Sequence, residues 1–270
     1  MDVRRLIRGR IPWEDIERVM DEIRRRYDRS TVRVEFLEAD NWLSTPCVVD
    51  EEFFVKILSP QNALVHAVFT NARNLGALTS GSVGFFERFD DPYQMAVHEL
   101  KATETLREIG INAPRPVEAF EVDEFGVLVL EYLPDFVSLD ELDNRDVRHW
   151  SPVLFATLWR MHEHNLAHGD LRGENILIAH DDLYFIDGTN VSDEGIDGAI
   201  AYDLASALAE LSPRIGPRRA VGDALTVYEV EDLLAARDFL DIVRLRPDHN
   251  FDSGRVKGEI ETRASRAARR

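Results

Sequence analysis

The chain has 270 residues, enough to bury a sizeable core and to form two lobes or small domains. It sets 50 acidic residues against 32 basic ones, for a formal net charge of −18, and only Lys56, Lys101 and Lys257 of the basic residues are lysines. An acidic body repels phosphate backbones and so argues against a large nucleic-acid footprint. The absence of any run of about 18 apolar residues excludes a membrane helix.

The single cysteine, Cys47, cannot form an internal disulfide, and a reducing, cytoplasmic location is expected. The acidic, lysine-poor composition resembles that of proteins from salt-loving cells, where carboxylates keep the surface hydrated. The charge is uneven. Residues 1–33 carry net +3 and residues 255–270 net +4, so the two ends offer a weak RNA or ribosome contact that the body does not.

Along the chain, residues 12–27 (PWEDIERVMDEIRRRY) show helical spacing, with Pro12 in the first turn and Ile16, Val19, Met20 and Ile23 on one face. TVRVEF, PCVV and FFVKIL are rich in β-branched and aromatic residues and predict three short strands. A helix is predicted over 61–75, a glycine-rich loop over 75–84 and a second helix over about 93–109, stopped by Gly110. VEAFEV and FGVLVLEYL predict two more strands around a turn at Asp123–Glu124. Ser151–Pro152 reads as the start of a helix ending near Asn165, and further helices are expected over about 201–211 and 229–243. A strand-rich first half before a helix-rich second half is an α+β pattern with two lobes.

The stretch AHGDLRGENILIAHDDLYFIDGTN (167–190) carries the chemistry. ILI and LYFI flank the turn AHDD as a hairpin. If Ile178 pairs with Tyr184, Asn175 falls opposite Asp187, and Asp170 enters the same end five residues before Asn175. Oxygen-bearing side chains gathered there suit Mg²⁺, a hard cation completed by phosphate oxygens and water. Taken singly, Asp and Asn are also common turn residues. His162, His164 and His168 match no familiar zinc spacing.

HGDLRGEN followed by FIDG resembles the catalytic loop and metal-binding motif of the protein-kinase-like superfamily. The resemblance implies a two-lobed protein-kinase-like fold: an N-terminal helical extension (1–31), a β-rich nucleotide-binding lobe (32–134, with an insert at about 58–92), a mainly helical lobe (135–246) and a basic tail (247–270). It implies Mg-ATP between the lobes, with Asp170 as catalytic base, Arg172 neutralising charge on the transferred phosphoryl, and Asn175 and Asp187 as metal ligands. It also requires a lysine on the third strand, which FFVKIL supplies as Lys56, and a helix glutamate to hold it. Of Glu99, Glu104 and Glu108, helical spacing sets only Glu99 on the buried stripe with Met95, Ala102, Leu106 and Ile109, where a carboxylate wants a partner. VLVLEYLPD resembles the segment linking the lobes, so the backbone at Glu131 and Leu133 is expected to meet the adenine edge. Asp203 in AYDLA matches an aspartate that braces the catalytic loop.

The chain departs from the pattern in two places. LEADNWLSTP, between the first two strands, contains no glycine, so Ser44 and Thr45 are the expected phosphate donors in place of a glycine-rich loop. Only 16 positions separate Asp187 from Asp203, too few for a full peptide-docking segment. Both features, with the insert between Lys56 and Glu99, resemble the atypical branch: RIO kinases first, then lipopolysaccharide-core kinases and aminoglycoside phosphotransferases. The activity implied is an atypical serine/threonine kinase or switch ATPase of RIO type acting on a protein. A small-molecule kinase and a pseudokinase scaffold are the alternatives.

Overall fold

The computed structural model describes residues 11–37, 44–63, 91–188, 195–246 and 250–269. The expected helix beyond Ala63, the glycine-rich run 75–84 and residues 38–43 of the loop before Ser44 lie outside them. The chain divides into two compact units. The first gathers Met1–Ala72, Arg88–Thr105 and Pro114–Pro134; the second gathers Arg73–Glu87, Leu106–Ala113 and Asp135–Arg270.

The first unit is built on an antiparallel sheet in the order β1-β2-β3-β5-β4. Its strands are β1 (Val34–Phe36), β2 (Thr45–Val49), β3 (Phe53–Leu58), β4 (Pro116–Val122) and β5 (Phe125–Glu131). The alternation of β3 sorts its side chains between two cores. Phe53, Val55 and Ile57 pack with Val127, Val129 and the helix α1 (Trp13–Arg26), through Ile16, Val19, Met20 and Ile23. Phe54 and Leu58 pack on the other side with Leu128, Leu130 and Ala96 of α2 (Pro92–Glu108). Lys56, two residues from each, shares that second face by the period-two rule.

The helix α2 approaches the sheet closely because residue 126 is glycine: a Cβ there would stand 2.1 Å from the Pro92 carbonyl oxygen. Arginines that make the amino end basic are met by acids: Arg18 by Asp123 at 2.7 Å, Arg26 by Glu118 at 2.8 Å, and Arg29 by Glu52. Less uncompensated positive charge is therefore present there than the count of arginines suggests.

The second unit holds a small sheet, β6-β7-β8, made of Val137–Ser138, Ile176–Ala179 and Asp182–Phe185. Around it stand α3 (Asn144–Glu163), α4 (Ile196–Ile215), α5 (Pro217–Ala224), α6 (Val230–Arg244) and α7 (Ser253–Ala267). One core unites Phe155, Leu158 and Met161 of α3 with Leu204 and Leu208 of α4, Leu240 of α6 and Val256 and Ile260 of α7. The basic tail is thus a helix with a buried face. Its Lys257 donates to Asp241 at 2.7 Å.

Three local expectations are corrected. The helix α3 begins at Asn144 rather than near Ser151, because the Asp143 carboxylate accepts from the amides of Arg145 and Asp146 and caps it. Ser151 then lies inside the helix and donates to Asp223 at 2.8 Å. The helix α4 starts five residues early, its first turn hidden in the sequence by Gly198, since glycine weakens a helix interior by about 1 kcal/mol relative to alanine.

The third correction concerns the hairpin. Ile178 pairs with Leu183, not Tyr184, and Ala179 closes the turn with Asp182. His180 and Asp181 both take positive φ (52° and 61°), the two-residue turn whose twist matches the strands, and histidine and aspartate tolerate that region better than most residues. Asn175 therefore stands opposite Ile186, whose amide donates to its carbonyl at 3.0 Å. Asp187 follows one residue later with φ 59°, where the chain turns away from the strand. Among the described residues no helix is long and apolar enough to cross a membrane.

Candidate active site

In the first unit, Lys56 is 4% exposed, and its Nζ donates to Glu99 Oε1 at 2.6 Å. The two residues are 43 positions apart, joined because β3 and α2 share the second core of the sheet. A buried ammonium is costly without a counter-charge, and Glu99 supplies it. Glu104 and Glu108 are exposed, on the opposite side of the helix from the sheet.

The β2–β3 register sets Pro46 opposite Lys56 and Thr45 opposite Ile57, so Ser44 and Thr45 arrive at the lysine end of the sheet. Ser44 is buried, and its Oγ has no hydrogen-bond partner among the described residues. At the far end of β5, the Glu131 amide donates to the Arg115 carbonyl and the Tyr132 amide to the Glu52 carbonyl, both at 2.9 Å. The Glu131 carboxylate accepts from the Arg115 amide at 2.7 Å, and Leu133 is buried.

In the second unit the loop between α3 and β7 is held from beneath by Asp203 of α4, which is fully buried. Its carboxylate accepts from the amides of His168 and of Gly169, the latter at 2.8 Å. His162 Nε2 stands 3.4 Å from the same carboxylate, and the Tyr228 hydroxyl lies 2.7 Å from His162 Nδ1. Burial, reinforced by Asp203 and Asp232, pushes the Tyr228 hydroxyl far above the ordinary tyrosine range, so it stays protonated and is able to donate to Nδ1. A carboxylate only accepts, so the neutral imidazole that satisfies both contacts carries its proton on Nε2, facing Asp203, and accepts from Tyr228 at Nδ1.

Gly169 turns the chain with φ 78°, a region open to glycine, and presents Asp170. His168 reaches the Ile186 carbonyl through Nε2 at 2.9 Å, which ties the loop to the end of β8. His164 bonds to the Arg160 carbonyl at 2.8 Å. The three histidines thus point to three different partners.

Asp170 is buried and meets two guanidinium groups. Arg172 Nη2 lies 3.1 Å from Oδ2, and Arg246 Nη2 lies 2.9 Å from Oδ1. Arg172 also pairs with Glu174. Asn175 is 3% exposed, and its Nδ2 donates to the Asp170 carbonyl at 2.8 Å. That bond fixes which way the amide faces: the nitrogen is committed to the loop, and the carbonyl oxygen is the atom that can act as a ligand.

Glu174 reports the charge around this loop. Burial pushes its carboxyl up, Arg172 pulls it down, and the negative charges of Asp170, Asp140 and Asp187 push it up again. Three further carboxylates therefore stand close enough to be felt. Among the described residues no group of three or more His, Cys, Asp or Glu is arranged to hold a metal. A cation bound through Asn175 Oδ1 and Asp187 would draw its other ligands from phosphate and water, as Mg²⁺ usually does.

The sequence matches the RIO domain over residues 92–194, a span that contains Glu99, Asp170, Arg172, Asn175 and Asp187. No curated protein matches it in sequence. Among solved structures it is similar to an aminoglycoside-3'-phosphotransferase of type VIII, with 16% identity, a TM-score of 0.51, and coverage of 83% of this chain and 98% of that one. It is also similar to the PknI kinase domain of Mycobacterium tuberculosis, at 12% identity and TM-score 0.42, covering 86% of this chain and 96% of that one. The likeness to that phosphotransferase structure shows a protein-kinase-like fold. That fold is mixed α+β, as the resemblance of HGDLRGEN and FIDG had implied.

Arg246 and Tyr228 are the residues that sequence reasoning missed. Both lie beyond the matched domain, and neither belongs to a motif. A solitary tyrosine or arginine in a helix-rich stretch carries no spacing signal that would separate it from its neighbours.

Proposed function

We propose that the protein is an ATP-dependent phosphotransferase of RIO type, a serine/threonine kinase or switch ATPase that uses Mg-ATP. The observation that carries this reading is the Lys56–Glu99 pair at 2.6 Å. The family resemblance of a distant loop called for a strand lysine and a helix acid, and those two side chains are bonded. Lys56 clamps the ATP phosphates, with Glu99 holding it and the Ser44 and Thr45 hydroxyls donating beside it. The Glu131 carbonyl and the Leu133 amide meet the adenine edge.

On the second unit, Asp170 orients the acceptor hydroxyl and takes its proton, a contribution typically of about 10²–10⁴-fold. Arg172 neutralises charge on the phosphoryl in transit. Asn175, through Oδ1, and Asp187 would hold Mg²⁺, which would supply positive charge to offset that on the ATP phosphates. The chain is read as cytoplasmic, and its acceptor as a protein.

A small-molecule acceptor is the second reading, favoured by the short span between Asp187 and Asp203. The guanidinium groups of Arg172 and Arg246 on Asp170 count against a polycationic one, because like charges repel at the point of attack. Asp187→Ala tests the core of the proposal. Magnesium-dependent ATP binding and turnover are expected to disappear while the melting temperature is retained. Turnover equal to the parent protein's would sink the metal assignment, and ATP binding without turnover in the parent protein would favour a scaffold.

A further inference from the structure

We propose that Arg246 is a positioning residue for the base Asp170, an assignment that rests on the phosphotransferase reading. Arg246 lies just past α6, its amide donating to the Val243 carbonyl at 3.1 Å. Its guanidinium is forked between two partners of unlike kind. Nη2 donates to Asp170 Oδ1 at 2.9 Å, and Nη1 donates to the Tyr202 hydroxyl at 3.1 Å. Its side chain is only 14% exposed.

Tyr202 precedes Asp203, the residue that holds the amides of His168 and Gly169. The α4 helix therefore fixes the catalytic loop twice. Asp203 secures the backbone on the amino side of Asp170, and Tyr202, through Arg246, secures the carboxylate itself.

Arginine suits the task better than lysine because its planar fork bonds two partners in a fixed geometry. Arg246 lies outside the matched RIO domain, so the device belongs to the carboxy-terminal part of this chain.

The test uses the full chain and Mg-ATP hydrolysis with water as acceptor. Arg246→Ala is expected to lower kcat about 10- to 100-fold, the scale of a slightly misplaced catalytic group. KM and Kd for Mg-ATP should stay within about twofold, since ATP contacts are untouched on this assignment. Arg246→Lys, which keeps the charge and loses the fork, should recover at least part of that loss, and Tyr202→Phe should show a smaller loss of the same kind.

Hydrolysis by Arg246→Ala equal to the parent protein's would overturn the assignment and leave the phosphotransferase reading intact. A loss that Arg246→Lys does not recover, accompanied by a falling melting temperature, would also overturn it and make Arg246 a structural residue only. Failure of the parent protein to bind Mg-ATP would overturn both. The contact itself is read without nucleotide from the melting temperatures of Arg246→Ala, Asp170→Asn and the double variant. Strict additivity would show that the two side chains do not interact.

Discussion

Lys56 and Asp170 are both charged groups withdrawn from water, and the protein secures them in different ways. Lys56 is held by a side chain, Glu99, brought to it by the packing of α2 on β3. Asp170 sits on a backbone that is itself bonded: Asp203 takes two loop amides, His168 reaches the Ile186 carbonyl, and Asn175 takes the Asp170 carbonyl. A long side-chain pair costs rotamer freedom on both partners and is sensitive to the loss of either. A loop pinned through its own amides loses little when one of several bonds goes. The first arrangement suits a group that follows a nucleotide, the second a group that must stay within a fraction of an ångström of a reacting hydroxyl.

The largest expected effect falls on the second of these. Asp170→Asn removes the proposed base and changes almost nothing else in shape, so Mg-ATP turnover should drop by about 10²–10⁴-fold while the melting temperature moves by a few degrees at most. A loss confined to KM would show that Asp170 binds rather than reacts. Asp203→Ala should act in the opposite sense, on folding before chemistry. It strands the amides of His168 and Gly169 inside the protein, and each buried unsatisfied group costs about 1–3 kcal/mol, so urea denaturation should show a loss of about 2–5 kcal/mol. A change below about 1 kcal/mol would mean the loop is not pinned as the geometry has it.

The first unit offers a sharper contrast. Glu99→Gln keeps the shape and removes the counter-charge from Lys56, and about 1–3 kcal/mol of stability should go with it, together with weaker Mg-ATP binding. Lys56→Met combined with Glu99→Leu replaces the pair by apolar side chains of similar volume. Such exchanges are often neutral or stabilising, so the double variant should melt no lower than the parent protein and yet bind no Mg-ATP. Destabilisation in both variants would mean that the pair serves the fold and not the nucleotide.

What could be read in the sequence follows the same division. The contact of Asp170 with Asn175 was legible because the two are close in the chain and HGDLRGEN resembles a known catalytic loop; their roles in catalysis and metal binding remain part of the proposal. Lys56 and Glu99 were legible because each broke an apolar pattern: a lysine in FFVKIL, an acid on the buried stripe of a helix. The hairpin register was not, since the choice between Tyr184 and Leu183 depends on a turn whose His180 and Asp181 adopt left-handed backbone, and AHDD lacks the glycine that announces it. The start of α3 was missed because a Ser-Pro pair outshone Asp143, whose capping is settled by two amides the sequence does not show. Arg246 and Tyr228 act across 76 and 66 positions on Asp170 and His162, and no local pattern records a contact of that length.

The smallest effect expected is the most specific. Tyr228→Phe removes one hydroxyl, the donor to His162 Nδ1 at 2.7 Å, and the net worth of a buried neutral hydrogen bond is about 0.5–1.5 kcal/mol. A loss of about 1 kcal/mol in urea denaturation would therefore be unremarkable alone. The informative readout is the imidazole. With the hydroxyl present, Nδ1 accepts and Nε2 carries the proton that faces Asp203; without it, nothing from Tyr228 holds the proton on Nε2. Nitrogen-15 resonances of His162 should therefore show the Nε2–H form in the parent protein and a mixture of forms in the variant. Turnover should fall only a few-fold, because Asp203 still holds the amides of His168 and Gly169. An unchanged tautomer in the variant would break the link from Tyr228 to the loop, leaving Asp203 to brace the amides of His168 and Gly169 without help from the imidazole.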